Sequence, residues 1–329
     1  MNIIKYFCNF VDEIKTTKTN SSINIAFMKR FSFLAIFLAF ASGCVSCGED
    51  DKNNSTLQNK NRNQQPNAQG WEVPHLKSGG IYINHTLADG TPNYCMEYVT
   101  DKYHTRWVAY RYDAKTAQRN TTRSDAWAAD PALDGMPQYQ IASHLPDDRV
   151  QTFSKYGYQR GHLVGSAERY YSKEANEQTF YMTNISPMLG AFNSDYWGYI
   201  EDICRDKWGR PCAQTGDTLY VVKGGTIDKT IGTCQLYTTN GSLVEMVVPQ
   251  YYFMACVRRT KDNNVTGIAF LMEHKDYKDT SEANLKSLAR KSAMSIDELE
   301  KKTGIDFFCN MPDDLEDKVE STFFYWQGL

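Results

Sequence analysis

Apolar and polar residues alternate with period two from Arg106 to Asp113 (RWVAYRYD), which puts Val108, Tyr110 and Tyr112 on one side and predicts a half-buried strand. Leu219 to Lys223 (LYVVK), Leu243 to Val248, Tyr251 to Val257 and Gly267 to Met272 are runs of β-branched, aromatic and other apolar residues, mostly bounded by Gly, Pro or Asn. They predict core strands. A different period governs Asn193, Trp197 and Glu201, whose spacing of four places them on one stripe of a helix starting near Ser194. Near the end, Ser295-Ile-Asp-Glu298 is a capping box, Met294 and Leu299 stand at staple positions and Gly304 is a C-terminal stop, so a helix spans Ile296 to Thr303. Strands carrying the apolar runs with helices outside them make the class α+β, with a mixed or antiparallel sheet core and flanking helices.

The first seventy residues follow other rules. Met28-Lys29-Arg30 precedes FSFLAIFLAFASGC: a positive start, an apolar run and small residues before a cysteine, which read as an export signal. Ala41-Ser42-Gly43-Cys44 resembles a bacterial lipoprotein box with alanine where leucine is usual, so Cys44 is expected to carry a lipid and hold the chain to a membrane. Translation from Met28 would account for the 27 residues upstream of the signal. Cys44 and Cys47 have CxxC spacing, but no βαβ pattern follows them, so a redox or zinc site is the weaker reading. The Asn/Gln-rich run after them has almost no apolar surface to bury. The expected organisation is an upstream extension and signal peptide at 1–43, a lipid-anchored disordered linker at 44–70 and one domain at 71–329, in an exported bacterial lipoprotein of the periplasm, outer membrane or cell surface.

A formal net charge of −3 leaves no global basic field, so a polyanionic partner would need a local cationic or metal site. Outside Cys8, Cys44 and Cys47 there remain six cysteines, Cys95, Cys204, Cys212, Cys234, Cys256 and Cys309. In an exported chain they suggest one to three disulfides, with Cys204 and Cys212 the pair nearest in sequence and buried free thiols the alternative.

The chemistry concentrates between Tyr158 and Glu201. Gln159-Arg160-Gly161-His162 is followed by Asn184-Ile-Ser-Pro187 and then by Asn193, Trp197 and Glu201. An imidazole of ordinary pKa near 6.5 accepts a proton from water at neutral pH, an arginine offers a fork to phosphate, and an asparagine oxygen suits a hard divalent cation. A glutamate can orient water on such an ion. Together these suit phosphodiester hydrolysis. A base of that pKa predicts activity that falls as the pH drops from about 8 to 5. Trp197 reads as a packing anchor.

RGH, FYMTNISP and N-x-x-x-W-x-x-x-E, in that order, resemble the DNA/RNA non-specific endonucleases of the ββα-metal (His-Me finger) group, which includes endonuclease G. AWAADPAL upstream and DELEKKTGIDFFCNMPDD downstream extend the likeness over most of residues 105 to 315. The resemblance implies a ββα-metal active-site motif, DNA and RNA as substrates, and Mg²⁺ as cofactor, with Mn²⁺ an alternative. It makes His162 the general base, Asn193 the metal ligand, Glu201 the acid that positions water, Arg160 a phosphate contact, Arg123 a substrate-side arginine for the transition state, and Asn184 a substrate-side residue beside the metal site that braces the other groups. Two positions depart from the family pattern: Gln159, where aspartate is usual, and Met188, where glutamine is usual. Loss of the aspartate charge beside Arg160 keeps open a second reading, a weak or inactive nucleic-acid-binding lipoprotein.

Overall fold

The computed structural model describes residues 59–136, 138–139 and 153–329. The export segment, Cys44, Cys47, most of the linker and His144 lie outside them. Eleven strands are described: β1 Ile81–Thr86, β2 Pro92–Val99, β3 His104–Tyr112, β4 Tyr158–His162, β5 Ile185–Leu189, β6 Thr218–Gly225, β7 Thr230–Tyr237, β8 Leu243–Pro249, β9 Tyr251–Arg259, β10 Val265–Glu273 and β11 Ala293–Met294. Seven of them form one sheet in the order β1-β2-β3-β6-β9-β10-β11, every neighbour antiparallel. The helices are α1 Lys173–Gln178, a continuous helical stretch α2 over residues 192–209, α3 Cys212–Thr215, α4 Glu282–Ser292, α5 Ile296–Thr303 and α6 Asp313–Ser321. The α+β architecture expected from the apolar runs is thus present.

Both faces of the central sheet are covered, which corrects the expectation that β3 is half-buried. Val108, Tyr110 and Tyr112 point into one core with Trp197, Ile200 and Leu285, from the α2 and α4 side. Their neighbours Trp107 and Ala109 point into a second core with Ile296, Leu299, Phe307 and Val319, from the α5 and α6 side. A period of two with apolar residues on both sides belongs to a strand between two layers. The run at Leu243 is a strand but not part of this sheet: β8 pairs only with β7, and Met246 and Val248 bury in a separate cluster while Leu243 stays exposed.

The capping box at α5 is formed as expected. Ser295 Oγ accepts from the Glu298 N–H at 3.2 Å, and Gly304 ends the helix at φ +67°. Upstream of Trp71, part of the segment expected as linker is packed against the domain. Asn63 and Ala68 are buried, and Asn59 Nδ2 donates to the carbonyl of Cys309 at 3.0 Å. Asn310 returns the contact by donating to the carbonyls of Ala68 and Gly70. Amide side chains here replace apolar burial as the source of order, a route that a hydrophobicity argument for disorder does not count.

All six cysteines among the described residues are buried free thiols. Cys204 and Cys212 do not pair: the Cys212 thiol donates to the carbonyl of Trp208, while Cys204 Sγ lies 3.9 Å from Cys256 Sγ on β9. The helix turns Cys204 toward the sheet, away from the loop that proximity in sequence suggested.

Candidate active site

β4 and β5 pair antiparallel, with Arg160 opposite Pro187, Gly161 opposite Ser186 and His162 opposite Ile185. A Cβ on Gly161 would stand 2.3 Å from Met188 Sδ. That close approach explains the glycine of RGH, and it shows Met188 to be a fully buried packing residue. Two histidines outside the motif fasten β5 to the body of the domain. His104 Nε2 meets Ser186 Oγ at 2.6 Å, and His274 Nε2 accepts from the Leu189 N–H at 2.8 Å. Both rings are buried, which lowers their pKa values; His104 falls to about 4.

At the end of β4, His162 is held edge-on to Phe180 (centroids 5.0 Å, 84°) and tilted against Trp127 (5.4 Å). Those two rings also carry the arginines. The Arg160 guanidinium lies 4.3 Å from the Trp127 ring, and that of Arg123 lies 4.8 Å from Phe180 while its Nε donates to Asp125 at 2.8 Å. Two exposed cations therefore flank the imidazole, each seated on an aromatic face worth roughly 0.5–1 kcal/mol at such a position. Trp127, in the AWAADPAL segment, carries no sequence signal for this place, yet it touches both His162 and Arg160. Among the described residues His162 Nε2 has no hydrogen-bond partner.

Desolvation first, then the charges of Arg123, Lys223 and Arg160, push the His162 pKa down to about 3. This corrects the expectation of a titration near 6.5. The ring is neutral, and competent to take a proton, across the whole range from pH 5 to 8. Because the folded pKa lies below the unfolded value of about 6.5, the folded state is penalised progressively as the pH falls from about 6.5 toward 3. In metal-free protein the His162 Cε1–H resonance is expected to stay at its neutral position down to about pH 4, by NMR titration. A midpoint near 6.5 would show that the ring is not shielded in this way.

Asn184 is fully buried. Its Oδ1 accepts from the Val164 N–H at 2.8 Å and its Nδ2 donates to the carbonyls of Val164 and Thr179. It braces the chain just after His162, as expected of it, with both ends of its amide engaged inside the fold.

The helical stretch α2 begins earlier than Ser194 and is wound wide at Phe192–Trp197 and again at Ile203–Gly209, with a regular turn at Gly198–Asp202 between them. Such i→i+5 winding is rare and recurs at functional sites. Trp197 is the anchor, buried against Tyr252 and Phe192. Asn193 remains half-buried, and its Nδ2 donates to Gln159 Oε1 at 2.9 Å; Ser194 Oγ donates to the same oxygen at 3.2 Å. Gln159 thus fixes the carboxamide of Asn193 by its NH₂ end and leaves Oδ1 uncommitted. The departure from aspartate becomes a positioning contact.

Glu201 lies one layer deeper. Its Oε1 accepts from Lys223 Nζ at 2.6 Å, and Glu168 Oε2 accepts from the same ammonium at 2.6 Å. Glu168 Oε2 also accepts from the Gly165 N–H at 2.7 Å, and a Cβ on Gly165 would stand 3.2 Å from Glu201 Oε1, so the segment leaving His162 runs directly against the acid. Lys223 is wholly buried at the centre of β6, and its ammonium also lies over the rings of Tyr110 and Trp197. Burial, opposed by Lys223 and reinforced by Glu168, raises the Glu201 pKa to about 7. Glu168 and Lys223 were not identified from sequence; a lysine ending an apolar run reads as the edge of a strand.

Asn193 Oδ1 and the second Glu201 oxygen are oxygen donors without partners among the described residues, on one helical stretch. This donor set fits a hard divalent cation. A family model described as DNA/RNA non-specific endonuclease matches residues 78–314. A nuclease of Nostoc sp. (strain PCC 7120) is 27% identical over 234 residues, 69% of this chain and 75% of that one. Mitochondrial nuclease 1 of Schizosaccharomyces pombe is 30% identical over 189 residues, but the chain spans only 55% of its length. Among solved structures, endonuclease G in complex with the inhibitor EndoGI superposes with a TM-score of 0.50 at 18% identity, over 76% of this chain and 94% of that one, a likeness of fold. Matched by that model over residues 78–314, the chain belongs to the DNA/RNA non-specific endonuclease family.

Proposed function

We propose that this endonuclease hydrolyses phosphodiester bonds of both DNA and RNA, with little sequence preference and with a divalent cation, Mg²⁺ in first place and Mn²⁺ as substitute. The observation that carries the reading is the unpartnered Nε2 of a neutral His162 between two arginines. Arg160 and Arg123 present guanidinium groups to phosphate oxygens, which gives affinity for the backbone without base information. As the new O–P bond forms, His162 Nε2 takes the proton of the attacking water while the opposite P–O bond breaks. Asn193 Oδ1, aimed by Gln159, would hold the ion, and Glu201, fixed by Lys223, would orient water on it. When bound, the cation would supply charge stabilisation on the phosphoryl and leaving oxygens.

Cleavage of supercoiled plasmid and of a structured RNA, each assayed with Mg²⁺ and with excess EDTA, tests the proposal. Both substrates are expected to be cut with Mg²⁺, with at least a hundredfold loss in EDTA, because a cation's stabilisation of charge on the phosphoryl oxygens is worth roughly several kcal/mol. Binding without cleavage in Mg²⁺ and Mn²⁺ would favour the inactive nucleic-acid-binding reading. The basic start, apolar run and Cys44 support the further proposal that the enzyme works tethered by a lipid in the bacterial envelope.

A further inference from the structure

The α5 and α6 layer, on the sheet face opposite α2, holds a second set of oxygen donors. One carboxylate oxygen each from Asp297 and Glu300 on α5 and Glu320 on α6 lie within 4.8 Å of one another. That is the greatest separation of two oxygens bound to one ion at about 2.4 Å each. Glu320 is only 4% exposed, and its Oε1 is buried with no hydrogen-bond partner. No ion pair joins Asp297, Glu300 or Glu320 to a cation among the described residues.

The surroundings make the charge worse. Besides Asp297 and Glu300, the acids Asp306 and Glu316 stand near Glu320. Nearby cations are spent elsewhere: Lys77 Nζ donates to the Gly304 carbonyl, the His75 ring meets the Asn61 carbonyl, and Lys60 pairs with Asp313. Glu316, one turn before Glu320, is 5% exposed and has a second orphaned oxygen, Oε2; its Oε1 accepts from Asn61 Nδ2 at 2.9 Å. Carboxylates this buried need a cation or a proton.

We propose that Asp297, Glu300 and Glu320 bind a structural divalent cation, Ca²⁺, which ties α6 to α5. An all-oxygen, carboxylate-rich set without nitrogen or sulfur excludes a zinc preference, and three protein ligands from two helices with the remainder from water suit the flexible coordination of Ca²⁺ better than the strict octahedron of Mg²⁺. Through Asn61 and Glu316 the ion would also secure the Asn59–Asn63 segment, where the chain enters the domain. The site makes no use of His162 or Asn193 and does not rest on the nuclease reading.

The test is calorimetric titration and thermal unfolding of the full chain carrying Asn193→Ala, which removes the other proposed ion ligand. One Ca²⁺ per chain is expected, with the Tm raised by about 5 °C at a hundredfold excess over Kd. Glu320→Gln in that background is expected to abolish both effects and to leave the Tm in EDTA no lower, since a neutral amide of the same shape replaces a carboxyl buried without a partner. Asp297→Asn, at a half-buried position, is expected to weaken Ca²⁺ at least tenfold and covers the case in which Glu320→Gln does not fold. No Ca²⁺ uptake, or uptake unchanged in the variants, overturns the site; Mg²⁺ bound as tightly as Ca²⁺ overturns the assignment of the ion.

Discussion

His162→Ala is expected to slow plasmid cleavage by about 10²–10⁴-fold at saturating substrate, the range that a positioned general base contributes. The effect should fall on kcat. Arg160 and Arg123 rest on Trp127 and Phe180 and not on the imidazole, so the phosphate contacts survive the substitution and KM is expected to change little. Removing a ring from between Trp127 and Phe180 also leaves a gap of its own shape, and added imidazole is expected to restore part of the lost rate. That rescue should increase with pH through the pKa of free imidazole, whereas the wild-type rate is expected to show no corresponding acid limb, because burial and the neighbouring cations lower the His162 pKa. Full activity in His162→Ala would remove the residue from the chemistry altogether.

How far the site could be read from sequence depends on what each residue contacts. His162, Asn193 and Glu201 lie at short spacings within one motif, and their types state their chemistry. The fold was legible for a related reason: β3, β6, β9 and β10 carry apolar runs of strand length, and the Ser295 capping box is a local code that needs no distant partner. What escaped depends on distant pairs. Lys223 is ordinary in sequence and becomes the counter-ion of the site only because β6 passes beneath α2. Trp127 gains a role by meeting His162, 35 positions later along the chain. Asn59, Asn61 and Asn63 look like a solvated tether until Cys309, Asn310 and Glu316 supply partners some 250 residues away. Gln159 was the weak point of the motif by comparison with its family pattern; the structure shows it accepting from Asn193 Nδ2, a contact the sequence does not display.

Lys223→Met is expected to destabilise the domain by about 3–5 kcal/mol at pH 8, measured by urea unfolding, because it leaves Glu168 and Glu201 buried against each other with no counter-charge. The methionine fills most of the lysine stem, so little of this cost is a cavity. Its pH dependence identifies the cause. Burial already raises the Glu201 carboxyl above its unfolded value and the ammonium opposes that rise, so without Lys223 it rises further; Glu201 then takes a proton on folding, and the loss is smallest at low pH and grows as the pH rises through its folded pKa. A deficit that shrinks clearly between pH 8 and pH 5 therefore indicates unpaired charge; one that is constant indicates packing. Adding Glu168→Gln to Lys223→Met removes one of the two charges and is expected to recover part of the stability, while cleavage stays impaired because Glu201 has lost the group that fixes it. That division, stability regained and activity not, separates the two duties of Lys223: neutralising the interior of the sheet and holding the acid of the active site in place.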